Sequence, residues 1–157
     1  MFKKGEGYEV VSRQGAGGYV AGTTTSRVRA GNTRNGVTWP AIPYPHSHAG
    51  SNWMGLPNEG HAAVARRLAS LQRVEGCPIG ASVSSEPGLE EAQALPELLD
   101  GLAMYADAGV DYIELNESCP NVPGHHGVAV LDDALLRRLD TVAVRFLAQR
   151  KRPLPVV

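Results

Sequence analysis

Asp111-Tyr-Ile-Glu-Leu-Asn-Glu-Ser-Cys-Pro-Asn-Val-Pro-Gly124 runs an apolar segment straight into a loop dense with polar side chains. Val110, Tyr112, Ile113 and Leu115 favour a short strand, because aromatic and β-branched side chains suit a pleated, half-buried surface. Pro120, Pro123 and Gly124 stop it. Asn116, Ser118, Cys119 and Asn121 therefore project from the strand's C-terminal end, where α/β proteins bind their ligands.

Working outward, the same strand-then-helix pattern recurs. Gly5 to Gln14 reads as the end of a helix, Gly15-Ala-Gly-Gly18 breaks it, and a strand is expected from Tyr19 to about Thr23. Thr23, Thr24 and Thr25 lie at that strand's C-terminal end, either as donors to a phosphate or carbonyl or simply as good strand formers. Asn58 is a good N-cap for a helix over 59–71, in which Val64, Leu68 and Leu71 recur at helical spacing. Pro78 to Ser84 reads as the next strand. Glu90 to Ala108 has a helical pattern, but Pro96 removes an interior hydrogen bond, so the helix is expected to restart with Pro96 in its first turn. Asp132 is the expected cap of a last helix running to about Gln149, with Leu135, Leu139, Val142 and Phe146 on one stripe. Pro153-Leu-Pro-Val-Val157 begins another strand.

Such alternation specifies an α/β fold with a parallel sheet and right-handed crossovers. The pattern amounts to about three βα units plus the start of another strand, and 157 residues are too few for a complete eight-stranded barrel, which takes about 200 to 250 residues or more.

Between strand and helix, Ser26 to Trp53 shows no sustained period, and Pro40, Pro43 and Pro45 argue against a regular element through its middle. Long loops in compact domains are commonly functional. Arg27, Arg29 and Arg34 either meet an anionic ligand or form a solvated face. His46 and His48 lack a third ligand, so no metal site is expected.

Composition narrows the function classes. With 15 Lys+Arg against 16 Asp+Glu and a net charge of -1, nothing favours a nucleic acid or an anionic membrane surface. No apolar run approaches the ~18 to 20 residues of a membrane span, and Met1-Phe-Lys-Lys lacks a signal peptide's apolar core, so a cytoplasmic location is expected. Cys77 and Cys119 have no paired spacing, which implies two free thiols rather than a zinc site or a disulfide framework.

Asn116-Glu-Ser-Cys-Pro-Asn-Val-Pro-Gly124 resembles the Asn-x-Ser-Cys-Pro-Asn-x-Pro-Gly loop of the soluble (class 1) dihydroorotate dehydrogenases, FMN-containing TIM-barrel enzymes. Gly22-Thr-Thr-Thr25, Arg29-Ala-Gly-Asn32 and Asn52-Trp-Met-Gly-Leu-Pro-Asn58 are similar to further segments of that family, in the same order and at roughly its spacing. The resemblance implies that the 157 residues form a single partial TIM (β/α)8 barrel domain, truncated at both ends, and it implies oxidation of dihydroorotate to orotate in pyrimidine biosynthesis, with hydride transfer to FMN and Cys119 as the base. It implies substrate contacts from Asn52, Trp53, Met54, Gly55, Leu56, Asn116 and Asn121. Gly22, Thr23, Asn52, Ser82 and Asn116 would then lie at the cofactor, and the full-length parent would be a homodimer. Cys119 favours class 1, since the membrane-associated class of the family has serine there.

Three departures stand out. The family usually has a lysine where Gly22 stands, so no ammonium is expected at the site. Glu117 replaces an aliphatic residue and is expected to add an anion near an anionic substrate. His125 and His126 follow the loop without a family counterpart and are read as solvated. Two further readings follow: a related FMN oxidoreductase acting on another reduced pyrimidine, or an inactive truncated fragment that self-associates through exposed strand edges. A hydrolase built on Cys119 lacks a clear His and carboxylate pairing.

Overall fold

A computed structural model describes residues 2–122 and 133–157. In chain order the elements are α1 (Tyr8–Arg13), β1 (Tyr19–Thr24), β2 (Val28–Arg29), β3 (Thr33–Arg34), β4 (Val37–Thr38), β5 (Ala41–Tyr44), β6 (Ala49–Asn52) and β7 (Asn58–Glu59). There follow α2 (His61–Ala69), β8 (Ile79–Val83), α3 (Glu91–Asp107), β9 (Tyr112–Leu115) and α4 (Asp133–Arg145). The expected cap Asp132 lies outside the described residues, as do Pro123, Gly124, His125 and His126.

Strands β1, β8 and β9 form a parallel sheet in that order, with α2 and α3 on the intervening crossovers. Phe2 bridges in parallel to Ala21 on one edge and Val156 to Ile113 on the other. On that second edge Ile113 N donates to Pro155 O (2.9 Å) and Leu115 N to Val157 O (2.8 Å), so the strand expected over 153–157 is in place. Spatial order equal to chain order, with a helix on each crossover, is the arrangement of part of a (β/α)8 barrel wall.

Period-two alternation divides the sheet's two faces. Tyr19, Ala21, Ile79, Ala81, Val83 and Ile113 join Val64 and Leu68 of α2, Leu98, Leu102 and Tyr105 of α3, and Val142 of α4 in one apolar core. Each fully buried leucine there contributes roughly 1.5 to 3 kcal/mol of apolar transfer. Ser82 and Glu114 are paired neighbours on the opposite, polar face. Between Gly22 and Thr24 the β1–β8 register shifts. This bulge turns Thr24 toward the helices, where its Oγ1 meets His61 Nδ1 (2.9 Å) and Tyr105 OH (2.7 Å), and leaves Thr23 on the polar face against Ser82.

Four expectations need correction. Asn58 does not cap α2: Gly60 does, while the Asn58 carboxamide accepts from Gly60 N (2.8 Å) and Thr25 N (3.2 Å) and donates to Leu56 O (2.9 Å). It ties the loop to β1 instead. Pro96 does not restart α3, which runs through it as one helix of 17 residues. The packing of Ala94, Leu98, Leu102 and Tyr105 on one side outweighs a single missing hydrogen bond. The 26–53 segment is not irregular throughout: β2 pairs with β7, β3 with β4, and β5 with β6, and Pro43 sits within β5 opposite Gly50. A two-stranded ribbon has two free edges, so a missing N–H is tolerated there. Lastly, α4 buries Val142 while Leu139 stays 39% exposed, and the helix ends at Arg145 before a 3-10 turn over Leu147–Gln149.

Candidate active site

The C-terminal ends of β1, β8 and β9 converge on four polar side chains joined end to end. Asn116 Nδ2 donates to Thr23 Oγ1 (2.8 Å), Thr23 Oγ1 meets Ser82 Oγ (2.8 Å), and Ser82 Oγ donates to Glu114 Oε1 (2.6 Å). Thr23 and Ser82 are buried, whereas Asn116 and Glu114 are half-buried at the rim. Gly22 precedes Thr23 with φ +109°, and a Cβ built on it would lie 2.5 Å from Ser82 O. That backbone excludes any side chain, so a lysine could not occupy this position in this conformation.

Across the mouth, the polar loop after β9 meets the segment around β6. Asn121 Nδ2 donates to Asn52 O (3.2 Å), and Asn121 O accepts from Asn32 Nδ2 (2.9 Å). Gly55, at φ +69°, packs directly on the Asn32 carboxamide. Residues 52–56 do not act alike. Leu56 is buried, Met54 lines a cleft, and Trp53 is exposed beneath the Arg34 guanidinium, 5.9 Å from its ring centroid. The structure thus joins Thr23, Ser82 and Asn116 in one group and Asn52 and Asn121 in another, with Trp53 outside both.

Cys119 is half-buried in the loop. Its electrostatic neighbour comes from the other end of the chain: burial holds the Lys3 ammonium below its ordinary range, and the Cys119 charge opposes that shift. Lys3 also lines a cleft of about 650 Å³ with Phe2, Lys4, Arg29, Trp39 and Met54. The Gly22 position carries no ammonium, while Lys3 stands near enough to Cys119 to feel its charge. Lys3 follows Phe2, which bridges to Ala21 on the outer edge of β1. Sequence reasoning missed it because a short terminal segment with two lysines has no periodic pattern to anchor it.

Glu117 also has a protein partner. Its carboxylate pairs with Arg138 of α4, and the same guanidinium grips Glu91 through Nε (3.0 Å) and Nη2 (2.5 Å). The hydrogen bonding of Arg138 to Glu91 is the largest of the effects that raise the Arg138 pKa, with the Glu117 charge adding to it. Glu117 thus braces the loop against the helices.

The arginines of the 26–53 segment have protein partners too. Arg29 meets the buried Glu86 (3.2 Å) and Arg27 meets Glu97 (3.0 Å). Among the described residues no group of His, Cys, Asp and Glu is arranged to hold a metal, and no helix is long and apolar enough to cross a membrane.

Asn116 commits one amide hydrogen to Thr23 and its carbonyl to Ser118 N (3.2 Å), which leaves one hydrogen and one lone pair uncommitted. That pattern suits the alternating N–H and C=O edge of a planar heterocycle. The Cys119 loop follows directly after Asn116.

A family model described as dihydroorotate dehydrogenase matches residues 1–154. The chain is similar to the dihydroorotate dehydrogenase (quinone) of Acidithiobacillus ferrooxidans, with 36% identity over 135 residues, covering 84% of this chain and 35% of the relative. The protein of the same name from Rhodopseudomonas palustris strain TIE-1 is 33% identical over 144 residues, covering 88% of this chain and 36% of its own. For Parvibaculum lavamentivorans the identity is 31% over 158 residues, covering 99% of this chain and 41% of the relative. The chain spans between a third and about two fifths of the length of these relatives.

Proposed function

The chain belongs to the dihydroorotate dehydrogenase family, and from that membership we propose that it forms part of a site oxidising dihydroorotate to orotate with FMN as cofactor. The observation that carries this reading is the meeting of Asn116, Thr23 and Ser82 at the strand ends beside the Cys119 loop. The uncommitted donor and acceptor of Asn116 fit a flavin or dihydropyrimidine edge. Bound FMN supplies the hydride acceptor for the substrate's C6.

The chain's own residues do the rest. Asn116 and Asn121 orient the ring by amide hydrogen bonds, and Asn52 is held beside Asn121 for the same purpose. Cys119 takes the C5 proton as the general base. Met54, Gly55 and Leu56 shape the opposite wall, while Gly22 keeps the flavin side free of a side chain.

The cysteine in this loop supports class 1-like chemistry. The relatives' printed names carry a quinone, which makes a quinone the first electron acceptor to try. A cytoplasmic chain and a homodimeric parent are part of the same reading. Glu117 is paired with Arg138, which it shares with Glu91, so a different reduced pyrimidine stays the second reading.

The test is anaerobic flavin reduction by dihydroorotate, followed with the wild-type chain, Cys119→Ser and Cys119→Ala. A lost general base costs about 10²- to 10⁴-fold in rate. Cys119→Ala is expected to bind FMN normally and to reduce it that much more slowly, with Cys119→Ser between the two. Equal rates for Cys119→Ala and wild type would remove Cys119 as the base.

A further inference from the structure

The four-residue chain at the strand ends has a direction, and the direction is set by a residue with no role in the mechanism above. As a carboxylate Glu114 can only accept, so the single hydrogen of Ser82 Oγ is committed to it (2.6 Å). Ser82 must then accept from Thr23 (2.8 Å), and Thr23, its hydrogen spent, must accept from Asn116 Nδ2 (2.8 Å). The Asn116 carbonyl is left for Ser118 N (3.2 Å). Reversing any one link would leave a buried hydroxyl without an acceptor or set two hydrogens against each other, which is costly in a buried site.

We propose that Glu114 is a positioning residue that, through Ser82 and Thr23 and together with the Ser118 N–H, holds the Asn116 carboxamide in one of its two flipped states and so helps to fix which ligand edge the site accepts. The proposal rests on the reading of Asn116 as a ligand contact. A flipped amide would present a carbonyl where an N–H is needed, so Glu114 selects ligands by their donor and acceptor order rather than by size. Glu114 itself touches no ligand in this scheme.

Glu114→Gln keeps the shape but removes the constraint, because a carboxamide can donate to Ser82 as well as accept from it. If it donates, every hydroxyl in the chain turns round and Asn116 must offer Thr23 its oxygen. Ser82→Ala cuts the chain at its middle and serves as an independent variant. The readout is the pair of side-chain amide resonances of Asn116, measured by NMR on the whole chain labelled at asparagine, first without ligand.

Wild type is expected to give one pair, with one proton protected by Thr23. Both variants are expected to give two pairs or exchange broadening while the rest of the spectrum stays dispersed. Unchanged Asn116 resonances in both variants would overturn the proposal. FMN titrations on the same samples separate this from the functional reading. Roughly tenfold weaker binding in Glu114→Gln is expected, about one hydrogen bond's worth of affinity. Failure of the wild type to bind FMN would remove the functional reading and leave the amide spectra to decide the role of Glu114.

Discussion

His61 begins α2 with its ring sealed between β1 and α3; it is 2% exposed, with Nδ1 on Thr24 and Nε2 buried without a partner among the described residues. Burial pushes its pKa from 6.5 down to about 4, against the smaller opposing pull of Glu86 and Glu97. The folded state therefore holds a neutral ring, and the unfolded chain takes up the proton first. The stability from His61 is full above about pH 6.5 and is lost as pH falls toward 4, by on the order of 3 kcal/mol. Urea midpoints followed from pH 7.5 to 4.5 should fall more steeply for wild type than for His61→Gln; parallel curves would contradict the account. At Gly22 the constraint is steric. Gly22→Ala forces a Cβ to within 2.5 Å of Ser82 O at φ +109°, so a loss of roughly 2 to 4 kcal/mol is expected in equilibrium unfolding. A loss under about 1 kcal/mol would mean that the bulge can relax.

At the scale of elements, Pro96 offers a cleaner experiment than a core truncation because its side chain is exposed on a continuous α3. Pro96→Ala restores the N–H that can bond the Ala92 carbonyl and should raise stability by about 1 to 3 kcal/mol. A neutral or negative result would show that α3 uses the proline to begin its packed half. The strands, helices and crossovers were legible in the sequence because Ile79, Ile113, Leu98 and Val64 mark buried faces at the periods of 2 and 3.6. The site was partly legible: the loop motif points to Cys119, Asn116 and Asn121 at the right end of the sheet. Lys3, Glu114 and the Arg138 brace on Glu117 were not, because each depends on a contact far along the chain that no local period encodes. Asn58 failed for a related reason. An asparagine before a helix is a good cap in isolation, but here its carboxamide is needed by Thr25 and Gly60.

For the whole molecule, the sheet places every candidate group at one end. Asn116, Thr23 and Ser82 meet there, the Cys119 loop follows β9, and Lys3 arrives beside it from the edge where Phe2 pairs with Ala21. Opposite, the apolar core locks α2, α3 and α4 onto the same strands, so the spacing of the site follows from packing rather than from the loops themselves. The central claim is that this end of the sheet is a flavin-linked dihydroorotate site. The most direct measurement is to mix the chain with excess FMN, desalt it, and record the visible flavin spectrum anaerobically before and after adding dihydroorotate. Flavin retained with the protein and bleached by dihydroorotate is the predicted result. A colourless protein, or bound flavin whose spectrum dihydroorotate leaves unchanged, would contradict it.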